Sequence, residues 1–259
     1  MADAAPPAGR RRAAVGVVAG RVLAAVFGLA VAGAAVVAVE ILLARSGHRL
    51  PDRPLVLDRP GGGPRVVWLG DSTVAGVGAT TAAGALPSRV QDGLGRPAAS
   101  LTVLAVSGAR AADVLAHQVP KVAAARPDLV LIEVGANDTI HLTGAGRFRR
   151  AYEALVRGLP AGVPVVLLGV PDMGSIARFA QPLRMLAGWR GRHLDGVVRR
   201  VAAESGAVYV DIAGPTGPAF RRNPGRFFSA DDFHPSDAGY GLWAEAVLRV
   251  LRSEGLPGG

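Results

Sequence analysis

The sequence of 259 residues contains no cysteine. That excludes disulfides, thiolate metal sites and a cysteine nucleophile. It leaves the compartment open, because a domain with an ample core needs no disulfide outside the cell. Lysine is nearly absent: Lys121 stands alone. The formal net charge of +9 therefore rests on arginine, scattered along the chain with no run longer than Arg10-Arg11-Arg12. Nucleic-acid binding needs a clustered basic face, so that class is set aside. Charged residues make up only 19% of the chain and hydrophobic ones 50%, which argues against low-complexity disorder over most of its length. The length suits one sizeable α/β domain plus an appendage.

The appendage is at the N-terminus. Residues 22–39, Val22 to Val39, carry no charge. Arg10, Arg11, Arg12 and Arg21 precede the run, and Glu40 follows it. About 20 apolar residues cross a bilayer as a helix. The run is apolar on every face, which argues against a buried helix of a soluble protein. The expected organisation is a basic tail over residues 1–21, a transmembrane anchor or signal-anchor over 22–44, a Pro/Gly-rich linker over 45–64 and a catalytic-type domain over 65–259. Ala30-Val31-Ala32 is a loose small-x-small pattern, so secretion after cleavage is the alternative. Arg45, Arg49, Arg53 and Arg59 nearly balance the positive-inside count. The expectation is a single-pass, membrane-anchored protein with its large domain outside the cytoplasm.

Short apolar runs alternate with helix-like stretches beyond residue 65. The spacing predicts strands at Val66–Leu69, Leu101–Val106, Leu129–Val134, Val163–Leu168 and Ala207–Ile212. It predicts helices at Leu86–Leu94, Ala111–Ala125, Gly146–Leu159, Ala177–Ala203 and Ser236–Leu251. Near-continuous hydrophobic strands are those buried on both faces of a parallel sheet. The alternation points to an α/β fold, a doubly wound sandwich. Sites in such folds lie at the carboxyl ends of the strands.

Polar and glycine-rich clusters follow the strands: Gly70-Asp71-Ser72, Ser107-Gly108-Ala109, Gly135-Ala136-Asn137-Asp138 and Asp231-Asp232-Phe233-His234. Their chemistry suits acyl transfer. A serine hydroxyl needs a neighbouring base to become a nucleophile. Of five histidines, His48 sits in the linker and His117 and His193 in predicted helices. His141, after the Asn-Asp loop, is a minor candidate. His234 stands at a loop–helix junction before Pro235, three residues after Asp231. That offset in a tight turn brings a carboxylate back to the imidazole, where it holds the tautomer. Asp232 reads as a helix N-terminal acid. Gly108, Asn137 and the Ser72 amide are candidate donors to an oxyanion, the last if Ser72 opens a helix. Each has a plainer reading: Gly-Asp-Ser and Gly108 as turns, and Asn137-Asp138 as an Asx turn or helix cap.

Together the four blocks resemble the SGNH hydrolases, also called GDSL-type esterases and lipases. They occur in that family's order and span residues 66–251. Thr73 stands where the family nickname has leucine. The resemblance implies a flavodoxin-like three-layer α/β/α sandwich and carboxylic-ester hydrolysis. It implies Ser72 as nucleophile, and His234 and Asp231 as base and orienter. It implies an oxyanion hole from Ser72, Gly108 and Asn137, with no cofactor and no metal.

Competing readings are an acyltransferase or deacetylase acting on envelope glycans, a metal phosphoesterase built on Asp71, Asn137 and His234, and a non-enzymatic binding module. The metal reading is weak because His234 is the one well-placed histidine. The expected partner is a small-molecule, lipid or glycan ester. Met173, Ile176, Phe179 and Met185, with Phe227, Phe228 and Phe233, read equally as acyl-pocket lining or as core.

Overall fold

The computed structural model describes residues 8–46, 50, 55, 57–95 and 99–256. They fall into two units, one ending at Ser46 and one beginning at Gly47. The first unit is one helix, α1 (Ala8–Ser46). Its stretch Arg21–Leu43 has 23 residues and a mean hydropathy of 2.6. By length and composition it is enough to cross a membrane or to serve as a signal sequence. The tail expected at 1–21 is helical from Ala8 onward. Alanine and arginine are strong helix formers, so nothing stops the helix at Arg21. Residues 1–7 lie outside the described residues.

The linker expected at 45–64 is only partly described; 47–49, 51–54 and 56, His48 among them, lie outside. Its last part is not free chain. Leu57 is buried, Arg59 and Leu101 exchange two backbone hydrogen bonds of 2.9 Å, and Asp58 accepts the Val103 N–H at 2.7 Å. Those groups of Leu101 and Val103 belong to an edge strand, whose free N–H and C=O invite such pairing. The packed unit thus begins by Leu57, ahead of the boundary expected at 65.

Five strands form one parallel sheet: β1 (Arg65–Gly70), β2 (Ser100–Val103), β3 (Leu129–Glu133), β4 (Val165–Leu168) and β5 (Val208–Val210). Their order is β2-β1-β3-β4-β5. Trp68 stands beside Val103 on one side and Leu131 on the other. Every residue of β3, and of β1 from Val66 on, is buried, as the unbroken apolar runs require. The outer strands are only half-buried. The helices are α2 (Leu86–Gly93), α3 (Ala111–His117), α4 (Val119–Ala125), α5 (Ala136–Ile140), α6 (Ala145–Arg157), α7 (Leu183–Ser205), α8 (Ala213–Arg222), α9 (Pro224–Phe227) and α10 (Asp237–Ser253). α2 packs on α10, while α3, α6 and α7 pack side by side as the other layer. The unit holds its own complete sheet and core.

Local chemistry explains the departures from the expected elements. The helix expected over 111–125 breaks at Gln118, because Pro120 in the next turn has no N–H to donate. The helix expected from Ala177 starts at Leu183. Pro182 stands just before it, and residues 177–182 form only turns and coil, after a short 3₁₀ turn at Met173–Ser175. α5, α8 and α9 were not expected; they are short and begin among Gly and Pro residues that read as loop.

The chain runs from β1 outward to β2, then returns to β3 on the far side of β1. The carboxyl ends of β1 and β3 therefore flank the switch point of the sheet, where open α/β folds place their sites.

Candidate active site

Ser72 follows β1 in a stack of tight turns, not in the helix expected there. Ala75 N–H bonds to Asp71 O at 3.0 Å and Val77 N–H to Ser72 O at 2.9 Å, too irregular a ladder for an α-helix. Gly70 makes this turn fit: a Cβ there would stand 2.3 Å from the Glu133 carbonyl oxygen. Gln118, turned inward at the break between α3 and α4, accepts the Gly70 N–H at 2.9 Å and donates to the Gly70 C=O at 2.8 Å.

Ser72 Oγ lies 2.9 Å from His234 Nε2, and His234 Nδ1 lies 2.6 Å from Asp231 Oδ2. The other oxygen of Asp231 accepts from the Ser229 hydroxyl at 2.8 Å and from the Phe233 and His234 amides at 3.0 and 2.9 Å. Burial pushes this carboxyl upward, but the hydrogen bond and charge of His234 outweigh it and hold the group well below the usual carboxylate range. Arg178 adds a cation 3.8 Å from Asp231 Oδ2. His234 is fixed from both sides: Ser229 N–H donates to its carbonyl at 2.8 Å, and Ser236 caps α10 by accepting from Gly239 N–H. Asp232 points away, exposed, at φ +54°.

The three expected oxyanion donors differ in readiness. The Ser72 and Gly108 amides donate no hydrogen bond among the described residues. Gly108, at φ +81°, has open space where a side chain would be. Asn137, at the start of α5, neither caps that helix nor forms an Asx turn. Its Nδ2 donates to Asp71 Oδ2 at 3.2 Å and to Ala109 O at 3.1 Å, so both amide hydrogens are engaged. Gly135 swings the chain from β3 into α5 at φ +145°, with Val170 filling the space a Cβ would need. Asp138 turns aside and accepts the Ala111 N–H at 2.9 Å, which ties α5 to the loop carrying Gly108.

Behind Ser72 lies a wholly buried pair of carboxyls that sequence reasoning missed as a unit. Thr73 Oγ1 reaches Asp71 Oδ1 at 3.0 Å and contacts Glu133 Oε2. Glu133 Oε1 has no hydrogen-bond partner among the described residues. Burial raises Asp71 to about 6, against hydrogen bonds from Thr73. Burial and the neighbouring Asp71 charge push Glu133 well above its ordinary value. Of the two, Asp71 is thus the more readily ionised, and Thr73 and Asn137 both bond to it. The one signal for this in the sequence is a glutamate inside the run Leu129-Val130-Leu131-Ile132-Glu133-Val134.

The remaining candidates separate cleanly. His141 bonds to the Asn137 carbonyl, His117 to the Asp113 carbonyl, and His193 stacks on Trp189; none is joined to Ser72. Met173, Ile176, Phe228 and Phe233 line a small cavity of about 30 Å³ beside Thr73 and Ala136. Phe179 is buried against Phe233. Met185 is exposed, because α7 turns that face outward. A wider hollow of about 520 Å³ around Gly61–Arg65 and Asp128 lies at the amino ends of β1 and β3, away from these groups.

Residues 68–242 match the GDSL-like lipase/acylhydrolase family. The chain is 30% identical over 239 residues to the GDSL-like esterase Rv1075c of Mycobacterium tuberculosis, covering 82% of this chain and 76% of that one. Among solved structures it resembles the lipase/acylhydrolase from Enterococcus faecalis, with TM-score 0.60, 22% identity, and coverage of 76% of this chain and 98% of that one. It also resembles the acetylxylan esterase Axe2 from Geobacillus stearothermophilus, with TM-score 0.56, 23% identity, and coverage of 74% and 95%.

Proposed function

The chain belongs to the GDSL-like lipase/acylhydrolase family, and from that premise we propose that it hydrolyses carboxylic esters through an acyl-enzyme on Ser72. The observation that carries this reading is the unbroken hydrogen-bonded series Ser72–His234–Asp231, 2.9 and 2.6 Å long. His234 takes the Ser72 proton as Oγ attacks the ester carbonyl. Asp231 holds the imidazole with its Nδ1–H inward and stabilises the imidazolium. The oxyanion is received by the free amides of Ser72 and Gly108. Asn137 joins them by yielding its longer bond, that to Asp71. The alcohol leaves with the His234 proton, and water activated by His234 then releases the acid.

The small cavity beside Thr73, roughly two waters in size, favours a short acyl group, with Met173, Ile176, Phe228 and Phe233 as its walls. The organisation that fits the sequence is α1 as a single-pass anchor with the second unit outside the cytoplasm.

The test is hydrolysis of p-nitrophenyl esters of short and long acyl chains by wild type and Ser72→Ala, with fluorophosphonate labelling. Wild type is expected to turn over short esters and to be labelled at Ser72. Ser72→Ala is expected to lose turnover by orders of magnitude. Near-normal hydrolysis by folded Ser72→Ala sinks the reading. Labelling without hydrolysis redirects it toward transfer of the acyl group to a glycan acceptor.

A further inference from the structure

Within the described part of the second unit, the large apolar side chains left exposed are Val106, Ile140, Leu142, Met185, Leu186 and Trp189. They are not scattered. Val106 lies in the loop after β2, Ile140 and Leu142 at and after the end of α5, and the last three in the first turns of α7. These pieces touch. Asn137 donates to Ala109 O, and Asp138 accepts from Ala111 N–H, joining the first to the second. Arg190 donates to Thr139 O and Thr143 O, joining the second to the third. The patch therefore borders Gly108 and Asn137, at the mouth of the site. Large contiguous apolar patches mark interaction surfaces.

Two further observations identify the partner. Residues 104–110, 140–147 and 181–193, which carry the patch, hold five arginines (Arg110, Arg147, Arg184, Arg190, Arg192) and no Asp or Glu. Only Arg110 among them forms an ion pair among the described residues, with Asp113. Arg184 and Arg190 are bonded to backbone carbonyls, which leaves Arg147 and Arg192 as the exposed cations, and an apolar rim bearing them complements a surface that is apolar within and anionic at its face. Leu142 is 72% exposed and sits at φ +54°, where a bulky side chain is disfavoured, so neither its burial nor its backbone explains its presence. The same chain carries α1, long and apolar enough to cross a membrane.

We propose that this rim seats the mouth of the site on an anionic lipid bilayer, with Leu142, Met185 and Trp189 entering the interface and the exposed Arg147 and Arg192 meeting the headgroups. The docking stands whether or not Ser72 is the nucleophile, and its test reads no turnover.

The full chain suits a fluorescence experiment. Its tryptophans are Trp68, Trp189 and Trp243; the first and last are buried and α1 has none. The full chain is reconstituted in phosphatidylglycerol or phosphatidylcholine vesicles with brominated acyl chains. In phosphatidylglycerol the emission is expected to shift to the blue and to be quenched, and Trp189→Phe is expected to remove both changes. Leu142→Glu with Met185→Glu is expected to abolish the quenching with the melting temperature kept. Should that pair fail to fold, Arg147→Gln with Arg192→Gln, both at exposed positions, is expected to weaken it. Solvent-like Trp189 emission in both vesicles overturns the proposal. So does equal quenching in the two lipids, quenching untouched by the arginine pair, or a blue shift without lipid at dimer mass, which would mean a second copy covers the face.

Discussion

Asp231 and Glu133 are both buried carboxyl groups, and the chain treats them oppositely. Asp231 is ringed by donors and stays ionised. Glu133 has Thr73 alone among the described residues, and burial holds its carboxyl well above the ordinary range. Replacing Asp231 by Asn leaves the shape but lets the imidazole adopt the wrong tautomer. Asp231→Asn is expected to lower kcat by about 10³–10⁴ with KM little changed, read in steady-state ester hydrolysis. Glu133 controls a different observable. Its folded pKa lies above its unfolded value near 4.5, so the folded state binds more protons, and its contribution to stability declines as pH rises from there. Glu133→Gln cannot ionise. Its urea midpoint is expected to gain on that of wild type between pH 5 and pH 8; parallel midpoints across that range would remove the buried proton from the account. Asp231 contributes the reverse slope: its stability is present above the unfolded value near 4 and fades as pH falls below it.

At the scale of elements, the site depends on how strands end. β1 must stop at Gly70 and turn Ser72 upward, and Gln118 bonds both Gly70 backbone groups from the side, with the Val106 N–H as a second donor to the carbonyl. Gln118→Leu leaves a buried N–H without its partner and costs about 1–3 kcal/mol, measurable as a lowered urea midpoint. The hydrolytic rate is expected to fall as well, because Ser72 rides on that turn. A midpoint equal to wild type would mean that the turn holds itself. The strand and helix pattern of this region was legible: the continuous apolar runs at residues 66–69 and 129–134 are the adjacent interior strands β1 and β3, and the polar clusters after them carry the candidate site. Gln118 was not legible. It sits in a stretch with helical spacing, and only the break at Pro120 frees its side chain to turn inward.

The whole molecule divides into α1 and a unit with its own sheet and core. The hydrogen-bond partners of Ser72 and His234 among the described residues all belong to that second unit. A chain beginning at Gly47 is expected to hydrolyse soluble short esters at the rate of the full chain. The full chain is expected to sediment with membranes until detergent releases it. A large rate loss on removing residues 1–46 would tie α1 to the folding or the chemistry of the unit, and a full chain found in the soluble fraction would remove the anchor.

What the sequence determined by itself is what local pattern carries. Unbroken Val, Leu and Ile runs require a parallel sheet buried on both faces. Helical spacing between them requires a doubly wound fold, and chain order then puts Ser72, Gly108, Asn137 and His234 at one edge. The uncharged run after Arg21 required a long apolar helix. Contacts between residues far apart in the chain were decided only by the tertiary structure. Glu133 meets Asp71 across two strands, and hydrophobic period says nothing of which buried acid faces another. Asn137 spends both amide hydrogens on Asp71 and Ala109, a matter of distance between loops rather than of residue type. Leu142, Met185 and Trp189 gather at the mouth because α5 and α7 dock side by side. Exposure depends on what packs above a side chain, and one-dimensional pattern does not contain that.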